Sequence, residues 1–167
     1  MNQVLSVLVN NSAGVLSHVS GLFARRGYNI ESLSVAATEN PEQSIITLVV
    51  NEDDQMVSQI EKQLMKLVDV LEIENLTYIE SLERELVLVT VQMERRKREE
   101  LLSLIDVFKG SVVDMTSNSV MIEMVGNPRR IEAFIHAFSE YGILKMARTG
   151  AISLPFPSVD FSRKRER

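Results

Sequence analysis

The sequence predicts an α+β protein built from two βαββαβ units in tandem. Two observations carry that prediction. Apolar runs of strand length alternate with segments of helical period, in one order over the first half of the chain and again about eighty residues later. Glycines or capping residues stand where the period changes, as at Asn11–Gly14, Gly27, Asn127-Pro128 and Gly142.

In the first unit, Gln3–Val9 is an apolar run with strand length. Val15–Arg26 then puts Val15, Leu16, Val19, Leu22 and Phe23 on one helical face. Gly27 suits a left-handed stop. Ile30–Ala37 and Ser44–Asn51 read as strands joined by a polar turn containing Asn40-Pro41. Asp53-Asp54 cap a helix carrying Met56, Val57, Ile60, Leu64 and Leu67 inward, and Val70–Asn75 closes the unit.

Thr77–Arg84 is polar and reads as a connector. After it, Glu85–Met93 is a Val/Leu-rich strand, and Leu101, Leu102, Ile105 and Phe108 share a helical face that ends at Gly110. Ser111–Met115 and Ser119–Val125 form a hairpin around Ser117-Asn118. Asn127-Pro128 starts a helix with Ile131, Phe134, Ile135 and Phe138 inward; Gly142 stops it, and Ile143–Thr149 is the last strand. Two ferredoxin-like sandwiches account for this order. The expected domains are 1–76, a linker 77–84, 85–154, and a flexible tail 155–167 containing Pro155, Pro157 and a charged end.

Composition narrows the function. Of 167 residues, 45% are apolar, enough for a core, and 5% are aromatic with no Trp, so the core is aliphatic. The absence of Cys excludes disulfides, thiolate zinc sites and cysteine nucleophiles, and fits a reducing cytoplasm. A net charge of −5 opposes a nucleic-acid-coating surface. No apolar run approaches the roughly 20 residues of a membrane span.

Chemistry-bearing constellations are few. There is no Gly-x-Gly, hence neither a Walker loop nor a dinucleotide fingerprint. His18 and His136 are lone helical histidines read as solvated. Glu94, Glu99 and Glu100 among Arg95, Arg96, Lys97 and Arg98 read as a salt-laced helix start. The strand-to-helix turn at Asn11–Gly14 stands apart. Gly14 precedes a helix N-terminus, where free N–H groups and the helix dipole favour an anion, and its missing Cβ admits close approach. Asn11 and Asn29, at the two ends of that helix, each offer a donor and an acceptor. Such a set can hold a free amino acid. The same residues equally serve as a cap, a turn glycine and a strand-entry partner.

Asn11-Ser12-Ala13-Gly14-Val15-Leu16 resembles the Asx-x-Pro-Gly-x-Leu signature of ACT domains, with Ala13 in place of the proline. Phe23–Leu33, Ile60–Leu64 running into Lys66–Val70, Glu83–Leu86 and Ala147–Gly150 are similar, in that order, to the regulatory small subunits of acetolactate (acetohydroxyacid) synthase. The resemblance spans Val4 to about Leu154. It implies a non-catalytic subunit that forms a homodimer through its ACT domain. Such a chain activates a catalytic large subunit and confers feedback inhibition in branched-chain amino acid biosynthesis. Thiamine diphosphate and Mg would belong to that partner, with no cofactor held by this chain. By the same resemblance, the amides of Gly14, Val15 and Leu16 take the effector carboxylate, while Asn11 and the partner chain's copy of Asn29 orient its polar groups. Val15, Leu16, Ile30 and Val35 line an aliphatic pocket that suits valine.

Two other classes share parts of this pattern. RNA binding on a βαββαβ sheet needs exposed aromatics on the central strands, and Leu5–Val9 and Ile45–Val50 have none. An amino-acid-responsive transcription regulator would need a DNA-reading helix pair, and none surrounds Arg95–Arg98 or Arg163-Lys164-Arg165.

Overall fold

The computed structural model describes residues 1–159; the charged end with Arg163-Lys164-Arg165 lies outside the described residues. The chain divides into two compact units. One holds Met1–Leu82 together with the segment from Ala151, and the other holds Glu83–Gly150. Residues 151–154, read from sequence with the second domain, therefore belong with the first.

In the first unit, β1 (Asn2–Asn10), β2 (Ser32–Ala37), β3 (Gln43–Asn51) and β4 (Val70–Asn75) form one sheet of order β2-β3-β1-β4, antiparallel throughout. Alternation along β1 turns Leu5, Val7 and Val9 toward α1 (Val15–Arg26) and α2 (Asp54–Leu64). Register sets Leu5 opposite Leu48 and Val7 opposite Ile46. Val19, Phe23, Val57, Ile60 and Leu64 complete this core. Each wholly buried aliphatic side chain contributes about 1.5–3 kcal/mol by leaving water.

The end of α1 is a Schellman turn. Gly27 sits at φ 70°, its N–H bonds Ala24 O, and Tyr28 N–H bonds Phe23 O. The apolar contact that accompanies the motif is Phe23 against Tyr28, edge to face at 5.9 Å. Helix α2 is capped by Asp53, whose carboxylate accepts Met56 N–H at 2.8 Å. It ends at Leu64, so Leu67 lies in the following turn and only partly packs on the core.

The second sheet takes the order β6-β7-β5-β8 from β5 (Ser81–Gln92), whose first two residues belong to the first unit, β6 (Ser111–Met115), β7 (Ser119–Gly126) and β8 (Ile143–Arg148). Helices α3 (Arg98–Val107) and α4 (Pro128–Ser139) cover one face. Phe134 and Phe138 stack at 4.5 Å within the buried cluster. Asn127 caps α4 by accepting Arg130 N–H at 2.8 Å. Arg148 Nε pairs with the buried Glu85, and its Nη1 reaches Glu132 at 2.8 Å.

Four expectations are corrected. The strand expected at Glu85 begins at Ser81, inside the expected linker. A ninth strand, β9 (Ile152–Pro155), pairs with β5 where no strand was read. Phe156 N–H bonds Glu80 O and Ser153 Oγ bonds Ser81 Oγ, so long-range pairing orders a segment that has weak strand character of its own. Helix α3 ends at Val107, before the expected Gly110, and the left-handed residue that follows it is Lys109, φ 56°. At Gly110 a Cβ would crowd Ile122 Cγ2 at 3.1 Å, so a side chain there needs Ile122 to shift by a few tenths of an ångström. Arg95–Lys97 forms a 3-10 turn and Arg98 opens α3, so the run does start a helix, but none of the ion pairs among the described residues falls on it. Arg98 instead reaches Met115 Sδ, and Lys97 lies over the Tyr141 ring.

Candidate functional site

The turn Asn10–Gly14 joins β1, at the centre of the first sheet, to α1. Gly14 stands at the N-cap position with φ 87° and ψ −6°. A Cβ there would have nothing within 4 Å, so the glycine serves the backbone angle and leaves open space beside it. Unlike α2 and α4, α1 has no capping side chain. Val15 N–H makes a long 3.4 Å bond to Ser12 O. Among the described residues, the N–H groups of Gly14, Leu16 and Ser17 have no acceptor within the chain. Unpaired amides at the positive end of a twelve-residue helix create a potential that favours negative charge.

Asn11 is exposed and held from β3's side. Its N–H bonds Glu42 O at 2.8 Å and its Nδ2 bonds Pro41 O at 3.0 Å, and its Oδ1 has no partner among the described residues. Leu16 and Val35 are 42% and 43% exposed, enough to offer apolar surface to a ligand. Val15 differs from the expected lining. Its side chain is buried in the core cluster, and only its backbone faces the turn.

Asn29 and Ile30 lie beyond the opposite end of α1. Asn29 is exposed, with Nδ2 on Glu31 Oε1 at 2.9 Å, and Ile30 packs half-buried against the core. Twelve residues of α-helix separate them from Gly14, and at 1.5 Å per residue that is about 18 Å. A single amino acid cannot touch both ends within one chain.

The turn also has a partner that the sequence did not suggest. Asp69, between α2 and β4, accepts Ser12 Oγ at 3.2 Å and faces His18 Nδ1 at 3.2 Å, while its backbone O takes Asn10 N–H at 2.9 Å. Residues 51 to 57 positions apart leave no local signal of such a contact. His18, read as solvated, is thus tied on one side. His136 is exposed on α4. Ser12, Asp69 and His18 do not form a nucleophile triad: the hydroxyl donates to the carboxylate, with no base placed to take its proton. No group of three or more potential metal ligands occurs among the described residues, and none of their helices is long and apolar enough to cross a membrane.

Comparison with known proteins covers both units. A family profile described as the AHAS small subunit-like ACT domain matches residues 5–72, and one described as the small subunit of acetolactate synthase matches 84–155. The acetolactate synthase small subunit of Haemophilus influenzae is 44% identical over 155 residues, covering 92% of this chain and 95% of the relative. The probable acetolactate synthase small subunit of Archaeoglobus fulgidus is 42% identical over 154 residues, with 92% and 96% covered. The crystal structure of the Thermotoga maritima small subunit superposes with a TM-score of 0.85 at 34% identity, over 93% of this chain and 98% of that one. With a βαββαβ first unit matching the ACT profile and relatives spanning nearly the full length of both chains, this chain belongs to the acetolactate synthase small-subunit family.

Proposed function

We propose that this chain is the non-catalytic regulatory subunit of a cytoplasmic acetolactate synthase. It activates the large subunit, which holds thiamine diphosphate and Mg, and confers feedback inhibition by valine or a related branched-chain amino acid. The observation that carries the effector part is the length of α1. The unpaired amides at Gly14, Leu16 and Ser17 and the polar group of Asn29 stand at opposite ends of one helix. An amino acid can therefore use both only where two chains meet, with the Gly14 turn of one protomer beside Asn29 of its partner. Leu16, Ile30 and Val35 offer aliphatic surface without a charge to pair, which favours a branched apolar side chain. A ligand seated across two protomers binds one pairing geometry better than others and shifts the population toward it, with coupling of about 1–3 kcal/mol.

Reconstitution tests the reading. Alone, the chain forms no acetolactate from pyruvate, with or without thiamine diphosphate and Mg. Added to its cognate large subunit, it raises activity and makes it sensitive to a branched-chain amino acid. Failure to do either contradicts the assignment. Sedimentation reports the dimer; a monomer that still binds effector tightly contradicts the shared pocket.

A further inference from the structure

The turn that carries the effector reading is held from outside. A Cβ on its glycine would meet nothing within 4 Å, and its helix has no side-chain cap. Among the described residues, three bonds tie it to the α2–β4 connection, and they converge on Asp69. The backbone O fixes Asn10 at the end of β1, Oδ1 fixes Ser12 inside the turn, and Oδ2 faces His18 on the first turn of α1. These contacts fall on both sides of Gly14. The Asp69 side chain is 18% exposed against 58% for His18, so the carboxylate is the better shielded, more fixed end of the clasp.

The geometry points to Asp69 as a positioning residue that holds the effector turn. Its carboxylate fixes Ser12 and His18 so that the amides of Leu16 and Ser17 are presented in one orientation before a ligand arrives. This rests on the effector reading above and deepens it. In this role Asp69 acts through the turn, each carboxylate oxygen holding one partner within the chain. Its effect is to reduce the ordering that binding would otherwise require. A capping side chain does this locally at α2 and α4; here the same service comes from 51 to 57 residues away.

Asp69→Ala keeps the backbone carbonyl that bonds Asn10, so the loss is confined to the carboxylate. Titration of valine into the reconstituted enzyme should show the half-inhibiting concentration rise about tenfold, the scale set by losing hydrogen bonds to a charged group. Asp69→Asn should recover most of it, since an amide oxygen still accepts from Ser12 and the side chain keeps the size and planar shape of the carboxylate beside His18. Ser12→Ala should weaken inhibition less, and should add little on top of Asp69→Ala. In the free protein, backbone amide order parameters for residues 12–17 should fall in Asp69→Ala and return in Asp69→Asn. If Gly14→Asp abolishes inhibition while Asp69→Ala titrates like the parent, the positioning role is overturned. If the parent is not inhibited at all, the effector reading fails. Unchanged order parameters in Asp69→Ala would then overturn the clasp as well, whereas a fall at those amides would retain it.

Discussion

Ala151 donates its backbone N–H to Ser32 Oγ at 3.1 Å, across 119 residues of sequence. Ala151 is 2% exposed, so this donor has no water to turn to. Ser32 stands opposite Val49 in the β2–β3 ladder, and Val49 is buried although it lies on the face away from α1 and α2. Ser32→Ala should therefore cost about 1–3 kcal/mol, the penalty of a buried unsatisfied amide. Urea denaturation measures it, and a change within a few tenths of a kcal/mol would show that the bond is not formed in solution.

Gly14→Asp and Gly14→Asn separate backbone strain from charge. Both must hold φ 87°, which Asn and Asp tolerate better than other residues, and neither Cβ meets an obstacle. Each should fold with a loss of about 1 kcal/mol. Only the aspartate sets a negative charge beside the unpaired amides. Feedback inhibition should vanish in Gly14→Asp and survive, weakened, in Gly14→Asn, with the large subunit still activated by both. Asn29→Ala should weaken inhibition by about 0.5–3 kcal/mol. Unchanged inhibition in Gly14→Asp and Asn29→Ala would place the amino acid elsewhere.

Arg148 makes two ion pairs that should differ in weight. Glu85's side chain is 5% exposed and Glu132's is 65%. Removing Arg148 strands the Glu85 carboxylate in a low-dielectric setting, so Arg148→Ala should destabilise by about 3 kcal/mol. Glu132→Ala should cost under about 1 kcal/mol, as for other exposed pairs. The Arg148 guanidinium is itself pushed above its ordinary pKa, first by the bond to Glu85. Equal losses in the two variants would refute this ranking.

Tyr141 gives an alkaline signature. Its phenol donates to Glu100, and that bond, followed by burial and the neighbouring carboxylates, raises its pKa from 10.0 to about 12. The folded pKa lies above the unfolded one, so the contribution is whole below pH 10 and is lost as pH rises through about 12. Tyr141→Phe should lower stability at pH 8 and flatten its decline between about pH 10 and 12. Parallel pH profiles for the two proteins would show that the bond adds nothing.

The sequence was legible where local chemistry decides structure. The bounds of α1 follow from Gly14 and Gly27, both at positive φ, and the starts of α2 and α4 follow from Asp53 and Asn127, whose side chains cap them. It was opaque where distant segments decide. Nothing around Ile152–Pro155 announces a strand, because its order comes from Glu80, Ser81 and Ser32. Lys109 takes the left-handed position, while a Cβ on the neighbouring Gly110 would crowd Ile122. At the candidate site, the turn at Asn11–Gly14 and the helix it opens were readable from the residues, whereas Leu16, set by the period on the same face as Val15, is 42% exposed. The inward turn of Val15 was half-visible in its helical period. The Asp69 clasp was not readable at all, since it joins residues brought together only by the β1–β4 pairing.

The return of β9 to the first unit also sets a timetable. The ribosome delivers chain at about 5–20 residues per second, and domains commonly fold in the order they emerge. Here Glu83–Gly150 is synthesised between the body of the first unit and its closing segment. The amino-terminal unit must therefore wait for the whole intervening unit before Ala151 can reach Ser32 and Ser153 can reach Ser81. On a nascent chain, the second unit is the first that can be completed.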